Sequence, residues 1–473
     1  MTRNVLAHAV VAVVAVVAVA GCSDPPPSPD VVPPVAYAPS PDGDGALAPM
    51  PGFPGPAQAL GSAYHTSVLG VTGAADGSVW VAYTDDGELD ITRDRTLRVE
   101  RFDPERRGGT VVAQATIRPM NFQANWLRRV ALCSHPSGEL TLAAFTSIAG
   151  ERSVAALSLT RFGADGSVLH TGYVDEPGAR MIGGHAAYFV GNDLDCVSEG
   201  EDLFLAAITD GVRLYRIASD LGVRWSQLVM PMTEKLALVA IYDTHIRVVA
   251  DDDGGAATAV TLWAEDRAAF AASFGDELPA TNGAADVLVT RFAADGTRRS
   301  AGILGGPGPE LVRGLQVTGD RVRVLAEAAL VKHPDVSNGT LERDLILVTG
   351  YPARNLTEQA IQINVCKDDY VTTALAAPDG GFLVAGGACG VQVDSGSLIA
   401  NRNGYVLALG PDGSRRAVTW LSGERDTMVE ALAELPSGEL TLAGTRNGSI
   451  THTDPSERFN EGWVDVLAAP AAR

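Results

Sequence analysis

Seven short segments with alternating apolar positions recur along the chain at a nearly constant period. Their first residues lie 61, 63, 57, 62, 60 and 58 positions apart. A fixed period of this kind indicates one repeated structural unit rather than a set of unrelated strands. The segments are residues 79–82, 140–143, 203–206, 260–263, 322–325, 382–385 and 440–443.

Each segment follows a turn that contains glycine, such as Asp76-Gly77 or Ser437-Gly438, and an earlier alternating run. Two period-two runs joined by such a turn predict a β-hairpin. A second strand pair follows within the unit, as at residues 287–292, which lead into the turn sequence ADGT. The sequence therefore predicts four antiparallel strands in every unit.

Seven four-stranded units predict an all-β fold, a single seven-bladed β-propeller. Tandem β-sandwiches are the alternative, but they need about 100 residues each, more than the period supplies. The seventh unit has room for a third strand near residues 463–467 and lacks a fourth. Because an open edge would leave backbone groups unpaired, we expect a strand from residues 44–62 to close the last blade.

Two stretches resemble the SBBP-type propeller repeats of exported bacterial proteins, many of which are lipoproteins. They read APDGGFLVAGG, at residues 377–387, and GYVLALGPDGS, at residues 404–414. Neither the Gly-His and Trp-Asp pairs of WD repeats nor the double glycine of kelch repeats recurs in every unit. The resemblance implies a propeller that is exported and, in most such proteins, not an enzyme.

The first 21 residues have the pattern of an export signal, with Arg3 followed by an apolar run at residues 9–20. Twelve residues are too few for a membrane-spanning helix. The run ends in Val19-Ala20-Gly21-Cys22, which resembles a bacterial lipobox and implies lipidation of Cys22. Ser23 implies release toward the outer membrane. Ordinary signal cleavage that leaves Cys22 as a plain thiol is the alternative.

Residues 22–62 are rich in proline, with twelve prolines between Pro25 and Pro56. Such a stretch favours an extended conformation, and we interpret it as a tether that ends in the closing strand. A leader without a spacing role is the alternative. The propeller is then predicted over residues 63–473.

The charge and the motifs exclude several functions. The formal net charge is −21, and the chain has 36 Lys and Arg against 57 Asp and Glu. A nucleic-acid partner is not expected, because phosphate neutralisation needs a basic face. Histidine spacing supports no zinc site, and we expect no cofactor. Acidic clusters such as Asp251–Asp253 suit tight turns, although oxygen-rich loops also bind calcium.

Four cysteines follow Cys22, and export makes disulfides reasonable. Cys133 and Cys196 each lie seven residues before the first apolar position of their unit. They should therefore occupy equivalent places on adjacent blades, and we predict that they pair. Cys366 and Cys389 flank one hairpin, and we predict a second disulfide between them. Reduced, buried thiols are the alternative.

Long connections between the second and third strands of several units should emerge on one face of the propeller, where binding sites commonly lie. We therefore expect an exported, lipid-anchored monomer, attached to the cell envelope through its lipid alone, that binds an unknown protein or polysaccharide. The alternative is a hydrolase or lyase with its active site at one end of the channel. Neutral insertions would also explain the loops. The candidate contact residues are Phe270, Phe274, His333, His452 and Phe459.

Overall fold

Seven antiparallel sheets stand around one axis and form a closed β-propeller. The computed structural model describes residues 35–42, 58–60, 66–85, 95–103, 106–117, 130–147, 155–174, 181–182, 185–186, 193–233, 236, 246–275, 278–279, 283–332, 341–366, 369–388, 391–392, 399–400, 403–421, 427–447 and 460–467. The predicted fold, a single seven-bladed propeller of mainly four-stranded blades, is confirmed.

Two short strands come first, β1 (Ala38–Pro39) and β2 (Gln58–Leu60). Blade 1 contains β3 (Thr66–Gly73), β4 (Val79–Asp85), β5 (Arg95–Asp103) and β6 (Arg106–Ile117). Blade 2 contains β7 (Ala131–Ser134), β8 (Leu140–Ser147), β9 (Ala155–Phe162) and β10 (Val168–Tyr173). A separate two-stranded hairpin follows, with β11 (Met181–Ile182) and β12 (His185–Ala186).

Blade 3 contains β13 (Leu194–Glu199), β14 (Asp202–Ile208), β15 (Gly211–Ile217) and β16 (Val223–Pro231). Blade 4 contains β17 (Ile246–Ala250), β18 (Ala256–Trp263), β19 (Ala285–Phe292) and β20 (Arg298–Leu304). Helix α1 (Arg267–Phe274) and a 3-10 turn (Ala264–Asp266) lie between β18 and β19. Blade 5 contains β21 (Glu310–Thr318), β22 (Arg321–Lys332), β23 (Leu341–Tyr351) and β24 (Leu356–Ile363), with a 3-10 turn (Pro352–Arg354) before β24.

Blade 6 contains β25 (Tyr370–Ala376), β26 (Phe382–Ala388), β29 (Asn403–Leu409) and β30 (Arg415–Leu421). A small hairpin of β27 (Val391–Gln392) and β28 (Ile399–Ala400) lies within its second connection. Blade 7 contains β31 (Thr427–Glu434), β32 (Leu440–Asn447) and β33 (Asn460–Leu467).

The ring closes where the sequence predicts it. Strand β2 is the fourth strand of blade 7, and Ala59 pairs with Trp463 of β33 in antiparallel register. The innermost strands β3 and β31 also contact each other directly. Blade 7 therefore unites two segments that are far apart in sequence.

The repeated apolar segments fill the layers between neighbouring blades. In β4, Trp80 and Ala82 pack in the layer shared with blade 2, whereas Val79 and Val81 pack in the layer shared with blade 7. Successive side chains of a strand point to opposite faces, so both faces of each inner sheet need apolar residues. This requirement explains why the segment is apolar at nearly every position.

Blade 4 differs from the predicted register by four residues. Ala256, rather than Val260, pairs with the phenylalanine that ends the third strand, Phe292. The equivalent pairs in blades 1 and 2 are Val79 with Phe102 and Leu140 with Phe162. Strand β18 has eight residues, as β8 has, and begins at Ala256, so the apolar segment at residues 260–263 is its second half.

The hairpin turns use the glycine and aspartate that the sequence analysis assigned to them. Gly77 has φ +84°, a left-handed value that favours glycine. The carboxylate of Asp76 accepts a hydrogen bond from the backbone amide of Ser78, 3.0 Å away. Asp379 and Gly381 repeat the same arrangement at 3.0 Å. These aspartates therefore act as turn residues.

Four arginines on the third strands of blades 1 to 4 connect each blade to the next. Each forms an ion pair with an acidic residue of its own blade and donates to a backbone carbonyl in a turn of the following blade. We call these residues the arginine clasps: Arg101, Arg161, Arg216 and Arg291. In blades 5 to 7 the equivalent register positions are Thr349, Ala408 and Val466.

A segment of the proline-rich region binds the outside of blades 5 and 6, two of the three blades that lack these clasps. Residues 35–42, here called the N-terminal strap, contain β1, which pairs in parallel with β24 of blade 5. Ser40 donates to the carbonyl of Gly413 in blade 6 at 3.0 Å, and Asp42 contacts Arg415. The predicted tether over residues 22–62 thus includes a docked portion, because the exposed edge of β24 offers unpaired backbone groups.

The disulfide between Cys133 and Cys196 is confirmed. It joins the innermost strands β7 and β13 of adjacent blades, with the Cα atoms 6.1 Å apart. Cys22 and Cys389 lie outside the described residues, so lipidation of Cys22 and the pairing of Cys389 with Cys366 stay predictions.

Candidate functional site

The axial channel of the propeller is a cavity at which the innermost strands of all seven blades meet. Its cavity has a volume of about 470 Å³ and is lined by the innermost strand of every blade. Small-molecule and cofactor sites typically occupy about 300 to 1,000 Å³. The channel is therefore large enough to admit part of a ligand.

The strand order gives the two ends of the channel different surroundings. One face of the propeller carries the connections between second and third strands, and we call it the loop face. The other carries the hairpin turns, and we call it the turn face. Each innermost strand runs from the loop face to the turn face. Asp195, Arg247 and Glu430 lie in the loop-face half of their strands, whereas Glu434 ends its strand at the turn face. All four line the channel.

Four innermost strands carry a β-bulge near their start. In each, the pairing register with the second strand skips one residue. Bulges redirect side chains and are common next to binding sites. No local motif in the sequence signals them, so they were not predicted. The bulged residues are Leu69, Arg313, Thr372 and Glu430.

Polar side chains of one blade accept hydrogen bonds from backbone amides on the channel side of the next blade. The carboxylates of Asp193 and Asp195 in blade 3 accept hydrogen bonds from the amides of Ile246 and Val248 in blade 4, at 2.6 and 2.9 Å. The innermost strand has a cross-strand partner on one side only, so its other edge needs such acceptors. These two carboxylates therefore connect blades 3 and 4 at the channel wall.

Arg247 is the cationic residue of the channel wall and is 7% exposed. Its Nε donates to the carbonyl of Arg313 in blade 5 at 2.6 Å, and its Nη1 donates to the carbonyl of Ile246 at 2.6 Å. The guanidinium thereby satisfies a carbonyl at the bulge of blade 5. Its position is fixed by the fold before any ligand binds.

Behind the channel wall lies a buried ionic network between blades 5 and 6. Glu327 forms ion pairs with Arg313 at 2.9 Å and with Arg343 at 3.0 Å. The same carboxylate accepts the amide of Val371 at 3.1 Å. The two guanidinium groups lie 5.7 and 5.3 Å from the ring centre of Tyr370. Removal of one member of such a buried network is costly, because it leaves a buried charge without compensation.

The hydroxyl of Tyr405 lies near this network and is fully buried. Burial raises the pKa of Tyr405 well above its ordinary value, and the carboxylates of Asp369 and Glu327 raise it further. The phenol therefore stays protonated at physiological pH. It can donate a hydrogen bond but cannot act as a base.

A second cavity of about 480 Å³ opens at the turn face among blades 7, 1, 2 and 3. Pro136 and Pro436, the first residues of the two copies of the sequence PSGELTLA, both line it. His135 lies beside it, with Nε2 2.8 Å from the hydroxyl of Thr141. Burial lowers the pKa of His135, and the charge of Arg161 lowers it further, so the imidazole is neutral at pH 7.

The candidate contact residues from the sequence have different placements. Phe270 of α1 is fully buried in the layer between blades 3 and 4, so it packs in the core and offers no surface to a ligand. Phe274 is partly buried, 4.5 Å from Phe270 between ring centres. His333, His452 and Phe459 lie outside the described residues.

Within the described ranges, no cluster of three or more histidine, cysteine, aspartate or glutamate side chains is arranged to hold a metal ion. Across the same part of the chain, no helix has the length and apolar character needed to cross a membrane.

Comparisons with known proteins give neither a family nor a close relative. No known family matches the chain, so the SBBP-type designation has no such support. No curated protein matches either.

Several solved structures are similar in fold. An α-L-arabinofuranosidase of Fusarium graminearum, solved with arabinobiose, is 10% identical, with 86% of this chain and 95% of that chain covered and a TM-score of 0.41. A polysaccharide lyase is 10% identical over 84% of this chain and 90% of its own, with a TM-score of 0.42. A Bacteroides caccae protein of unknown function is 10% identical, over 70% and 93%, with a TM-score of 0.36. Such distant similarity says nothing about activity; the protein is a seven-bladed β-propeller.

Proposed function

We propose that this protein is an exported, lipid-anchored propeller that binds a protein or a polysaccharide at the loop-face end of its axial channel. The observation that carries the proposal is the fixed polar lining of this end. Asp195 and Arg247 are held by hydrogen bonds to the backbone of the neighbouring blade. A preorganised polar surface around a cavity of about 470 Å³ suits recognition, because little ordering is needed on binding.

The charge of the channel limits the chemistry of the ligand. Among the described residues, three carboxylates and one guanidinium line it, those of Asp195, Glu430, Glu434 and Arg247. The chain as a whole carries −21. Polyanions are therefore repelled, and the proposal commits to a neutral polysaccharide or a neutral to basic protein segment.

The envelope location rests on the sequence. Arg3, the apolar run and Val19-Ala20-Gly21-Cys22 support export with lipidation of Cys22, and Ser23 favours the outer membrane. The disulfide between Cys133 and Cys196 supports an oxidising compartment. The resemblance to SBBP-type repeats agrees with this location. We expect a Cys22→Ser variant to lose partition into the detergent phase; a variant that still partitions would remove the anchor from the proposal.

Binding is tested with immobilised neutral glycans and with envelope proteins recovered together with the purified protein. Thr373 lines the channel, and Thr373→Trp places a bulky ring in the cavity. We expect this variant to lose at least tenfold in affinity. Thr171→Trp makes the same exchange on the exposed strand β10, away from the channel, and should bind as the wild type does. Equal binding by both variants would exclude the channel as the site.

The hydrolase or lyase alternative is tested in the same assay. Acidic residues do lie at the loop-face end, so bound glycans are analysed for shortened products by mass spectrometry. Intact glycan after prolonged incubation agrees with a binding module. Time-dependent cleavage that Thr373→Trp abolishes would replace the binding proposal with catalysis.

A further inference from the structure

Two carboxyl groups are buried side by side at the loop face between blades 4 and 5. Glu310 begins β21 and Asp286 lies in β19, and both residues are 0% exposed. One oxygen of Glu310, Oε1, accepts hydrogen bonds from the hydroxyl of Tyr37 and from the amide of Gly306, the latter at 3.0 Å. The other oxygen, Oε2, is buried and receives no hydrogen bond from a donor group. The carboxyl of Asp286 interacts with Glu310.

Tyr37 covers this carboxyl pair and belongs to the N-terminal strap. Its hydroxyl donates to Glu310 and accepts a hydrogen bond from the amide of Gly308 at 3.0 Å. The ring lies directly on Gly306, where an added Cβ atom would be 2.3 Å from the ring. Glycine at this position lets the strap approach the two carboxyl groups closely.

Two adjacent carboxylates cannot both be ionised in a site without water. Burial raises the pKa of Glu310 well above its usual range; hydrogen bonds from Tyr37 and Gly306 act in the opposite direction, and the charge of Asp286 raises it again. One proton on the pair would remove the second charge and provide a hydrogen-bond donor beside the buried Oε2 of Glu310. The carboxyl pair should therefore hold one proton when the strap is docked.

We propose that docking of the N-terminal strap is coupled to the uptake of one proton by the pair of Glu310 and Asp286. The pair consists of Asp286 from β19 and Glu310 from β21. Among the described residues, the titratable group that faces it is Tyr37 from the strap. The connection between β20 and β21 contributes the amides of Gly306 and Gly308, and β24 contributes the hydroxyl of Thr357, which accepts the amide of Gly305.

The direction of the coupling follows from solvation. With the strap undocked, water reaches the pair and solvates both ionised carboxylates. With the strap docked, the pair is fully buried from solvent and holds a proton. Docking is therefore favoured at lower pH and weakens as pH rises. The equilibrium constant for docking falls by at most a factor of ten for each unit by which docking raises the pKa of the pair. An exported protein would thereby release its strap from blade 5 in alkaline surroundings.

The test is cleavage of the full chain by chymotrypsin after Tyr37, a bond that the docked strap protects. The fragment is followed by mass spectrometry between about pH 5 and pH 9, and its rate is normalised to a peptide substrate at each pH. We expect the normalised rate of the wild type to rise at least tenfold over this range. A constant rate, or one that falls, would overturn the proposal.

Glu310→Gln is the decisive variant, because its amide can donate to Asp286 while its oxygen still accepts from Tyr37 and Gly306. We expect slow cleavage at every pH. Asp286→Asn supplies the donor from the other side and should behave in the same way, even if one of the two variants folds poorly. Asp42→Asn, which weakens the contact with Arg415, should speed cleavage equally at all pH values. A pH dependence that persists in both amide variants would place the titrating group elsewhere.

Discussion

Arg161 of blade 2 contacts Glu201 of blade 3 through both the side chain and the backbone. The guanidinium lies 2.6 Å from the carboxylate and 3.1 Å from the carbonyl oxygen of Glu201. A third contact, to Glu139 in its own blade, is 2.5 Å long. The side chain of Arg161 is only 2% exposed, although both partners are partly open to solvent. This residue is the most buried of the four arginine clasps.

We expect Arg161→Ala to destabilise the fold by about 2 kcal/mol, because a buried guanidinium loses three charge-assisted contacts. The melting temperature should fall by roughly 2 °C, since the unfolding entropy of a chain this long is large. Differential scanning calorimetry measures the shift. Arg213→Ala removes an exposed pair with Asp210 within one blade and serves as the control, with an expected cost below about 1 kcal/mol. Equal shifts would show that the clasp adds nothing.

The closing strand should be essential for stability. Leu60 is 1% exposed in the layer between blades 7 and 1, so Leu60→Ala should cost about 3 kcal/mol through the cavity that it leaves. Leu356→Ala makes the same exchange at a residue that is 36% exposed and should cost less than about 1 kcal/mol. Urea unfolding compares the two. A mild effect at Leu60 would mean that the ring stays closed without β2.

The disulfide between Cys133 and Cys196 should contribute about 4 kcal/mol, because it closes a loop with a sequence separation of 63 residues. The variant with both cysteines changed to alanine should melt well below the wild type under oxidising conditions. Non-reducing peptide mapping of the wild type should recover the linked peptides. Recovery of both cysteines as free thiols from the native protein would contradict the assignment.

Histidine protonation should lower stability in mild acid. The folded-state pKa of His135 is lowered by burial, so below the ordinary value of 6.5 the unfolded chain binds more protons than the folded one. Stability is therefore lost as pH falls through 6.5, at most about 1.4 kcal/mol for each unit. His135→Gln keeps a donor for Thr141 without the titration. From about pH 7 to pH 5, the melting temperature of the wild type should fall relative to that of the variant. A difference that stays constant over this range would refute this account.

The number of blades and the closing strand could be predicted from the sequence because apolar alternation repeats with a fixed period. The turn residues were predictable for the same reason. The channel lining could not be predicted, since Asp195, Arg247 and Glu430 come from three blades and share no local motif. The arginine clasps left a signal that was not used, because Arg101, Arg161 and Arg291 each precede a phenylalanine. The strap was missed because proline-rich composition predicts extension but not a binding partner.

Pairing between Ala59 and Trp463 also has a consequence for folding. The two residues are 463 − 59 = 404 positions apart, so the last sheet forms only after nearly the whole propeller has been synthesised. Contacts of such long sequence separation form slowly. Until then β33 has a bare edge that can pair with other chains. During biogenesis, aggregation therefore competes with ring closure, and faster docking of the early strand would increase the yield of native protein.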